Sequence, residues 1–342
     1  GGSAVALATG MVPIASGSDT GGSLRNPAAF NGIVGFRPSP GLVPAERRGL
    51  GWSNLPVLGP MARTAADCAL LLSAMADDDA VDPLAYTLPG RAVRRGDPDL
   101  FPPRRLDLST LRVAATPDFG FAPTERHIRE VFAGRVAALT PFFGRVEEAA
   151  PDCRDADEAF EILRAAAFLN AHLEKVRKRP QDVGPNVRAN VEEGLRYTLE
   201  DYARAAAAQT RIYRAWQGFF AQHDLIVSPA ITISPRSWQE LYPAEIDGQP
   251  TRTYFHWLAL AYAVTLVGHP AISIPLGVDR AGMPFGLQIV GPRGGDALVL
   301  AVAAAIEEAV AGDPALRRPV PDLAQLRVAP PISSMANFRT WG

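Results

Sequence analysis

The sequence has 342 residues, of which 47% are hydrophobic and 20% charged, and its formal net charge is −2. This composition is typical of a globular protein with a large core, and the near-zero charge excludes electrostatic attraction to nucleic acid or membrane surfaces. No apolar run is long enough for a membrane span. The cysteines, Cys68 and Cys153, lie too far apart for a disulfide framework or metal cluster, so we predict buried free thiols in a cytoplasmic protein.

The first third of the chain predicts short helices alternating with strands. In chain order these are a helix at 3–9, a strand at 11–16, a short helix that Asn26 caps, a strand at 33–38 and a helix after Thr64. Pro27 suits the first position of the short helix. Thr64 and Asp67 have the spacing of a capping box, with aspartate where glutamate is usual.

The rest of the chain repeats this alternation. It predicts a loop over 78–107, strands at 111–118, 224–230, 271–277 and 285–291, and helices at 123–139, 155–179, 200–223, 254–267 and 296–311, before an irregular tail. The strands are continuously apolar, which is typical of a sheet covered by helices on both faces. We predict an α/β fold with one domain over 1–342, in which the mostly helical stretch 125–255 forms a cap-like region.

The segment GSDTGGSLRNPAAF at 17–30 allows several interpretations. A phosphate loop would need a lysine after the glycines, and none follows. Asp19-Thr20-Gly21 matches the triplet of aspartic proteases, but that chemistry needs a second such loop, and the sequence has no other. A simple turn explains the glycines, since glycine permits positive φ, but it leaves the serine after them unexplained.

A nucleophilic serine accounts for more of this segment. At a turn from strand to helix, Ser23 would present its hydroxyl outward, and the amides of Thr20, Gly21 and Gly22 would converge on one point. Converging N–H groups form an oxyanion hole, in which each donor contributes about 10²–10³ in rate. Asp19 and Arg25 would pair beneath the turn and hold its shape as scaffold.

Five segments of the sequence together resemble the amidase signature family. They are residues 1–44, GPMARTAADCALLLSAMA, HDLIVSPA, GHPAISIPLG and MPFGLQIVGPRGGDALVLAVAAAIEEA, in the family's order. The resemblance implies a mixed central sheet between helices, and amide hydrolysis by a Ser–cis-Ser–Lys triad without a cofactor. It identifies Ser23 as the nucleophile, and its oxyanion hole comprises the amides of Thr20, Gly21, Gly22 and Ser23.

The other two triad members match no residue of this sequence. The resemblance implies a cis-serine two residues before Gly1 and a lysine further upstream, whereas Ser3 matches only the last serine of that motif. Lys175 and Lys178, the only lysines, match nothing in the family's pattern. We therefore expect further residues before Gly1 in the natural protein, and we expect the chain alone to be inactive.

Aromatic and apolar residues provide candidates for a substrate pocket. These are Trp52, Tyr254, Trp257, Leu258 and Tyr262, which are either pocket or core residues. As pocket residues they favour a hydrophobic or aryl amide as the small-molecule substrate, and the family resemblance also allows a homodimer. The histidines lack metal-ligand spacing, and for His269, which precedes a proline, a structural role is favoured.

Two other functions remain open. One is the glutaminase-type subunit of a tRNA-dependent amidotransferase, although RPSPGLVP differs from the block expected of such proteins. The other is a non-catalytic fragment of the same fold that binds or interacts without turnover.

Overall fold

An eight-stranded sheet forms the centre of the protein, in a computed structural model that describes residues 1–85, 99–237, 239–240 and 242–334. The strands are β1 (Ile14–Asp19), β2 (Val34–Arg37), β3 (Val57–Ala62), β4 (Arg112–Ala115), β5 (Arg145–Glu148), β6 (Leu225–Pro229), β7 (Glu245–Ile246), β8 (Gln249–Pro250), β9 (Ala271–Val278) and β10 (Pro284–Val290). The sheet order is β1-β3-β2-β9-β10-β6-β4-β5, and β7 pairs separately with β8. Neighbouring strands are antiparallel in the part of the sheet ordered β1-β3-β2-β9-β10-β6. The remaining neighbours, β6 with β4 and β4 with β5, are parallel, so the sheet is mixed.

Helices surround this sheet. They are α1 (Gly2–Ala8), α2 (Arg25–Asn31), α3 (Ala65–Met75), α4 (Arg126–Leu139), α5 (Ala156–Lys178), α6 (Pro185–Gly194), α7 (Leu199–Phe220), α8 (Ala259–Val267), α9 (Asp296–Val310) and α10 (Leu323–Val328). Single 3₁₀ turns lie at Leu108–Thr110, Thr140–Phe142, Pro180–Asp182, His256–Leu258 and Ile332–Ser334. No helix in the described residues combines the length and apolar character that crossing a bilayer requires.

The two faces of the sheet belong to two hydrophobic cores. Ile272 and Ile289 point to the face that α3, α4 and α9 cover, while their strand neighbours Ala271 and Val290 point to the face that α5, α7 and α8 cover. Successive side chains of a strand alternate between faces, so two covered faces require apolar residues at every position. The predicted fold class is therefore confirmed, and the continuous apolar runs are explained.

Most predicted elements are present with shifted ends. The first strand runs over Ile14–Asp19 rather than 11–16, the apolar helix begins at Ala259 after a 3₁₀ turn, and the tail contains α10. The structure also contains helices and strands that were not predicted from the sequence, namely β3, β5, β7, β8, α6 and α10. Of the predicted loop 78–107, residues 78–85 and 99–107 contain no α-helix or strand, and 86–98 lie outside the described residues.

Asn26 is not the cap of α2, which was the prediction. The helix begins at Arg25, and the Nδ2 of Asn26 reaches back to the carbonyl of Gly21 at 3.4 Å. The Asp19 carboxylate accepts the amides of Gly22 and Leu24 instead, so a cap from Asn26 is not needed. Thr64 does cap α3, since its side chain accepts a hydrogen bond from the amide of Asp67.

Both cysteines are free and buried, as predicted. Burial raises the pKa of Cys153 to about 12 and that of Cys68 well above its usual value. Since the thiolate is the reactive form, neither thiol is a good nucleophile at neutral pH.

His269 is a buried structural residue that should make the fold acid-sensitive. Its Nδ1 lies 2.8 Å from the carbonyl of Gly291 and its Nε2 2.9 Å from the Nε2 of Gln217, so Nδ1 donates and Nε2 accepts. Burial lowers its pKa to about 4. Between pH 6.5 and 4 the unfolded chain binds a proton that the folded protein does not, so stability falls as the pH falls.

We expect the pKa difference of His269 between the folded and unfolded states to lower the free energy of unfolding by about 3 kcal/mol when the pH falls from 7 to 4. His269→Asn, which keeps a donor and an acceptor without a titratable ring, should be less stable at pH 7 and lose less stability with acid. Urea denaturation at several pH values measures how steeply the free energy of unfolding changes with pH in the wild-type protein and in the variant. Equal slopes in the two proteins would contradict the assignment.

Candidate active site

Ser23 lies on the turn that joins β1 to α2. The strand ends at Asp19, and the helix starts at Arg25. Ser23 is exposed, although Gly22 and Leu24 on either side are buried. The turn therefore presents the Ser23 hydroxyl to solvent between two buried residues.

The Asp19 carboxylate holds the turn from beneath. It is fully buried and accepts hydrogen bonds from the amides of Gly22 at 2.8 Å and Leu24 at 3.2 Å. Arg25 donates to both carboxylate oxygens at 3.0 Å. Burial opposes the charge of Asp19, but the two neighbouring arginines and these hydrogen bonds outweigh it and lower its pKa to about 2. Asp19 is therefore ionised at neutral pH.

Arg25 connects the turn to the centre of the sheet. Its Nη1 donates to the carbonyl of Ala261 in α8 at 2.9 Å and to Oε1 of Gln288 in β10 at 2.7 Å, and its Nη2 donates to Thr265 at 3.2 Å. Gln288 in turn donates to the hydroxyl of Ser228 at 2.9 Å. The turn is thus fixed to two distant elements by buried hydrogen bonds.

Arg37 is a scaffold residue that was not predicted from the sequence. Its Nη1 donates to the Asp19 carbonyl at 2.8 Å and to the carboxylate at 3.2 Å. Burial lowers its pKa to about 10, and Asp19 opposes that shift. The available signal was a charged residue inside the apolar strand β2, and the same signal, a polar residue in an apolar strand, applies to Gln288.

The backbone amides of the turn divide into two groups. The Gly22 amide already donates to Asp19, so the structure places Gly22 in the scaffold, unlike the predicted donor role. Within the described part of the chain, no acceptor takes the amides of Gly21 and Ser23. Two free amides beside an exposed hydroxyl can stabilise an oxyanion.

Gly22 also has to be glycine for steric reasons. Its φ is +110°, and a β-carbon there would lie 2.5 Å from the β-carbon of Ala261 and 2.4 Å from the Nδ2 of Asn26. A side chain would therefore push the turn away from α8.

The predicted pocket residues separate into two groups. Leu258 lies beside the turn, since a β-carbon on Gly21 would be 3.8 Å from its Cδ1 and 3.3 Å from the Cζ of Phe160. Tyr262 is buried and stacks on Phe160 with ring centroids 4.4 Å apart, and its hydroxyl donates to Asp157. Phe160 was not predicted, because it looks like any core residue of a helix.

The remaining predicted pocket residues have different surroundings. Trp257 stacks on Phe30 with ring centroids 6.2 Å apart, and its indole N–H donates to the carbonyl of Tyr254 at 2.7 Å. Tyr254 accepts a hydrogen bond from Arg164. Trp52 is 82% exposed and lines a separate cavity of about 370 Å³. These contacts do not place Trp52 with Leu258 and Tyr262.

Among the described residues, no group of three or more His, Cys, Asp and Glu side chains is arranged to hold a metal ion.

Comparisons with known proteins identify the relatives of this chain. The family model for amidases matches residues 1–300. An acylamidase of Rhodococcus erythropolis is 30% identical over 88% of this chain and 62% of its own length. A glutamyl-tRNA(Gln) amidotransferase subunit of Streptococcus pneumoniae is 30% identical over 90% of this chain and 65% of its own length. The chain therefore spans less than two thirds of the length of these curated relatives.

A solved structure supports the fold. The crystal structure of a bacterial aryl acylamidase of the amidase signature enzymes superimposes with a TM-score of 0.80 at 24% identity, over 92% of this chain and 65% of the other.

Proposed function

This chain belongs to the amidase signature family, and we propose that it hydrolyses a carboxylic amide to an acid and an amine or ammonia through an acyl-enzyme on Ser23. One observation carries the proposal: an exposed serine lies on a turn whose Gly21 and Ser23 amides have no acceptor in the described residues. The buried Asp19–Arg25 pair fixes that turn before any substrate arrives. Donors that are already in position stabilise developing charge without reorganisation.

The proposed reaction has two steps. The Oγ of Ser23 attacks the amide carbonyl, its proton passes to the leaving amine, and the C–N bond breaks to leave an ester on Ser23. Water then attacks the ester and releases the acid, while its proton returns to the serine. The amides of Gly21 and Ser23, with Thr20 beside them, would stabilise the oxyanion in both steps.

The proton transfers need a base that these residues do not supply. Lys175 is exposed near the end of α5. It follows Phe160, the α5 residue that lies beside Gly21, by 15 positions, which is about 22 Å along a helix. Lys178 is also exposed and pairs with Glu174 at 2.5 Å. By the family resemblance the base is a lysine acting through a cis-serine, and we propose that the chain without them is inactive.

We propose a hydrophobic or aryl amide as the substrate. The side of the turn at Gly21 faces the apolar side chains of Phe160 and Leu258, with Tyr262 stacked behind. The name of the acylamidase relative supports hydrolysis of an amide and says nothing of this substrate class.

A panel of amides assayed with the full-length natural protein tests this function. We expect an anilide or another hydrophobic amide to be hydrolysed with the highest kcat/KM, and an acyl group on Ser23 to be visible by mass spectrometry of the quenched reaction. The panel includes glutamine because one relative is an amidotransferase subunit. If glutamine is the only amide of the panel that is hydrolysed, the amidotransferase alternative is favoured. No turnover and no acylation by any amide would favour the non-catalytic alternative.

A further inference from the structure

Arg164 is a buried cation that the proposed reaction does not use. It lies on α5 and is only 7% exposed, and its guanidinium packs against aromatic rings. The Cζ atom is 3.9 Å from the ring centre of Phe168 and 4.4 Å from that of Phe255. Nη1 donates to the Oδ1 of Asn190, and Nη2 donates to the hydroxyl of Tyr254. The two hydrogen-bond partners are an amide and a phenol, and neither is a carboxylate.

No carboxylate in the described residues forms an ion pair with Arg164. The two buried arginines beneath the turn are compensated, since Arg25 and Arg37 lie within 3.2 Å of the Asp19 carboxylate. Burial lowers the pKa of Arg164, although Tyr254 and Glu193 oppose the shift. A buried charge without a paired counterion costs free energy, and a group whose pKa burial perturbs is a candidate for a functional site.

Arg164 lies one turn of helix beyond the residues that contact the oxyanion turn. On α5, Phe160 contacts Gly21 and Arg164 follows one turn later. On the facing segment, Leu258 contacts Gly21 and Tyr254 precedes it by four residues. The hydrogen bond between Arg164 and Tyr254 joins these two segments, and Phe255 packs on both Phe160 and the guanidinium. A continuous set of packed side chains therefore joins Gly21 to the guanidinium of Arg164.

The geometry points to Arg164 as the recognition group for a carboxylate at the far end of the substrate. The inference rests on the proposed function and narrows its substrate class to amides whose apolar body ends in an anionic group. Nε has no acceptor among the described residues, so a carboxylate that approaches Nε and one Nη has a donor free. Arginine suits this role because its planar fork matches the two oxygens of a carboxylate.

Binding to the Ser23→Ala variant of the full-length natural protein tests this inference without turnover. The probes are 4-carbamoylbenzoate and benzamide, which differ by one carboxylate, and isothermal titration calorimetry measures both affinities. A hydrogen bond to a charged group is worth about 1.5–3 kcal/mol, so we expect the carboxylate to improve affinity about tenfold or more. Arg164→Met should abolish this preference and leave benzamide binding within about threefold, and Arg164→Lys should keep part of it.

Arg204→Met is the matched control, because it removes an exposed arginine that pairs with Glu158 and Asp201. It should keep the full preference for the carboxylate. Equal affinities of the two probes for the Ser23→Ala protein would overturn the inference, even if Arg164→Met fails to fold. An unchanged preference in a folded Arg164→Met protein would overturn it as well.

The outcome is separable from that of the proposed function. If the protein binds the carboxylate probe more tightly but hydrolyses no amide, the anion site is supported and the proposed enzymatic function is refuted. If the natural protein hydrolyses neutral and anionic amides with equal kcat/KM and binds both probes equally, the enzymatic function is supported and the anion site is refuted.

Discussion

Replacing Ser23 with alanine should lower kcat/KM for amide hydrolysis by about 10³-fold or more in the full-length natural protein. The exposed hydroxyl of Ser23 is the nucleophile of the proposed reaction, so without it no acyl-enzyme forms. The free amides of the turn remain, and they account for any residual rate. The measurement is steady-state hydrolysis of the best amide of the panel, together with mass spectrometry for the acylated protein.

Ser16→Ala is the matched control for this prediction. Ser16 lies on β1, the strand that leads into the turn, seven residues before Ser23. We expect its variant to keep wild-type turnover and to become acylated, and we expect both variants to melt within about 2 °C of the parent. Undiminished turnover in a folded Ser23→Ala protein would refute the nucleophile assignment.

Asp19→Asn should have the largest effect on stability and lower the free energy of unfolding by about 3–5 kcal/mol. The substitution preserves shape but removes the carboxylate that pairs with two buried arginines, Arg25 and Arg37. It also replaces an oxygen that accepts hydrogen bonds with an NH₂ group, which cannot accept. Urea denaturation followed by circular dichroism measures the change.

Asp152→Asn separates this effect from the loss of an ordinary ion pair. Asp152 pairs with Arg154 on the surface, where the side chains are 39% and 79% exposed. Surface pairs are worth about 0–1 kcal/mol, so this variant should be close to wild type. A loss below about 1 kcal/mol for Asp19→Asn would show that the buried network does not stabilise the fold as described.

The same carboxylate should contribute to acid sensitivity. Its pKa in the folded protein is about 2, below the ordinary value of 3.8. The stabilisation is therefore present above pH 3.8 and disappears as the pH falls towards 2, which is a lower window than that of His269.

Together these residues explain how the fold would prepare Ser23 for its proposed role as the nucleophile. The turn is a short piece of backbone with two adjacent glycines, and such a piece would sample many conformations alone. Asp19, Arg25 and Arg37 restrict it from beneath, and Ala261 restricts it at Gly22. The entropic cost of ordering the turn is met during folding, so the amides of Gly21 and Ser23 are in position when a substrate binds.

Local sequence was sufficient to predict the exposed Ser23 and the Asp19–Arg25 pair of the turn, although it gave the wrong roles for Gly22 and Asn26. Ser23, the glycines before it and the Asp19–Arg25 pair lie within a single short segment, where composition and spacing carry the signal. The covered sheet could be predicted as well, because strands buried on both faces must be apolar at every position. The ends of elements were less accurate, since the first strand and the apolar helix both begin later than predicted.

The residues that support and surround the turn could be found only in the folded chain. Arg37 reaches Asp19 across 18 positions, and Gln288 reaches Arg25 across 263. Phe160 and Arg164 come to this side of the turn because α5 packs against the 254–258 segment. Contacts of this kind arise because buried polar groups must find partners wherever folding brings them, and no local pattern encodes that choice.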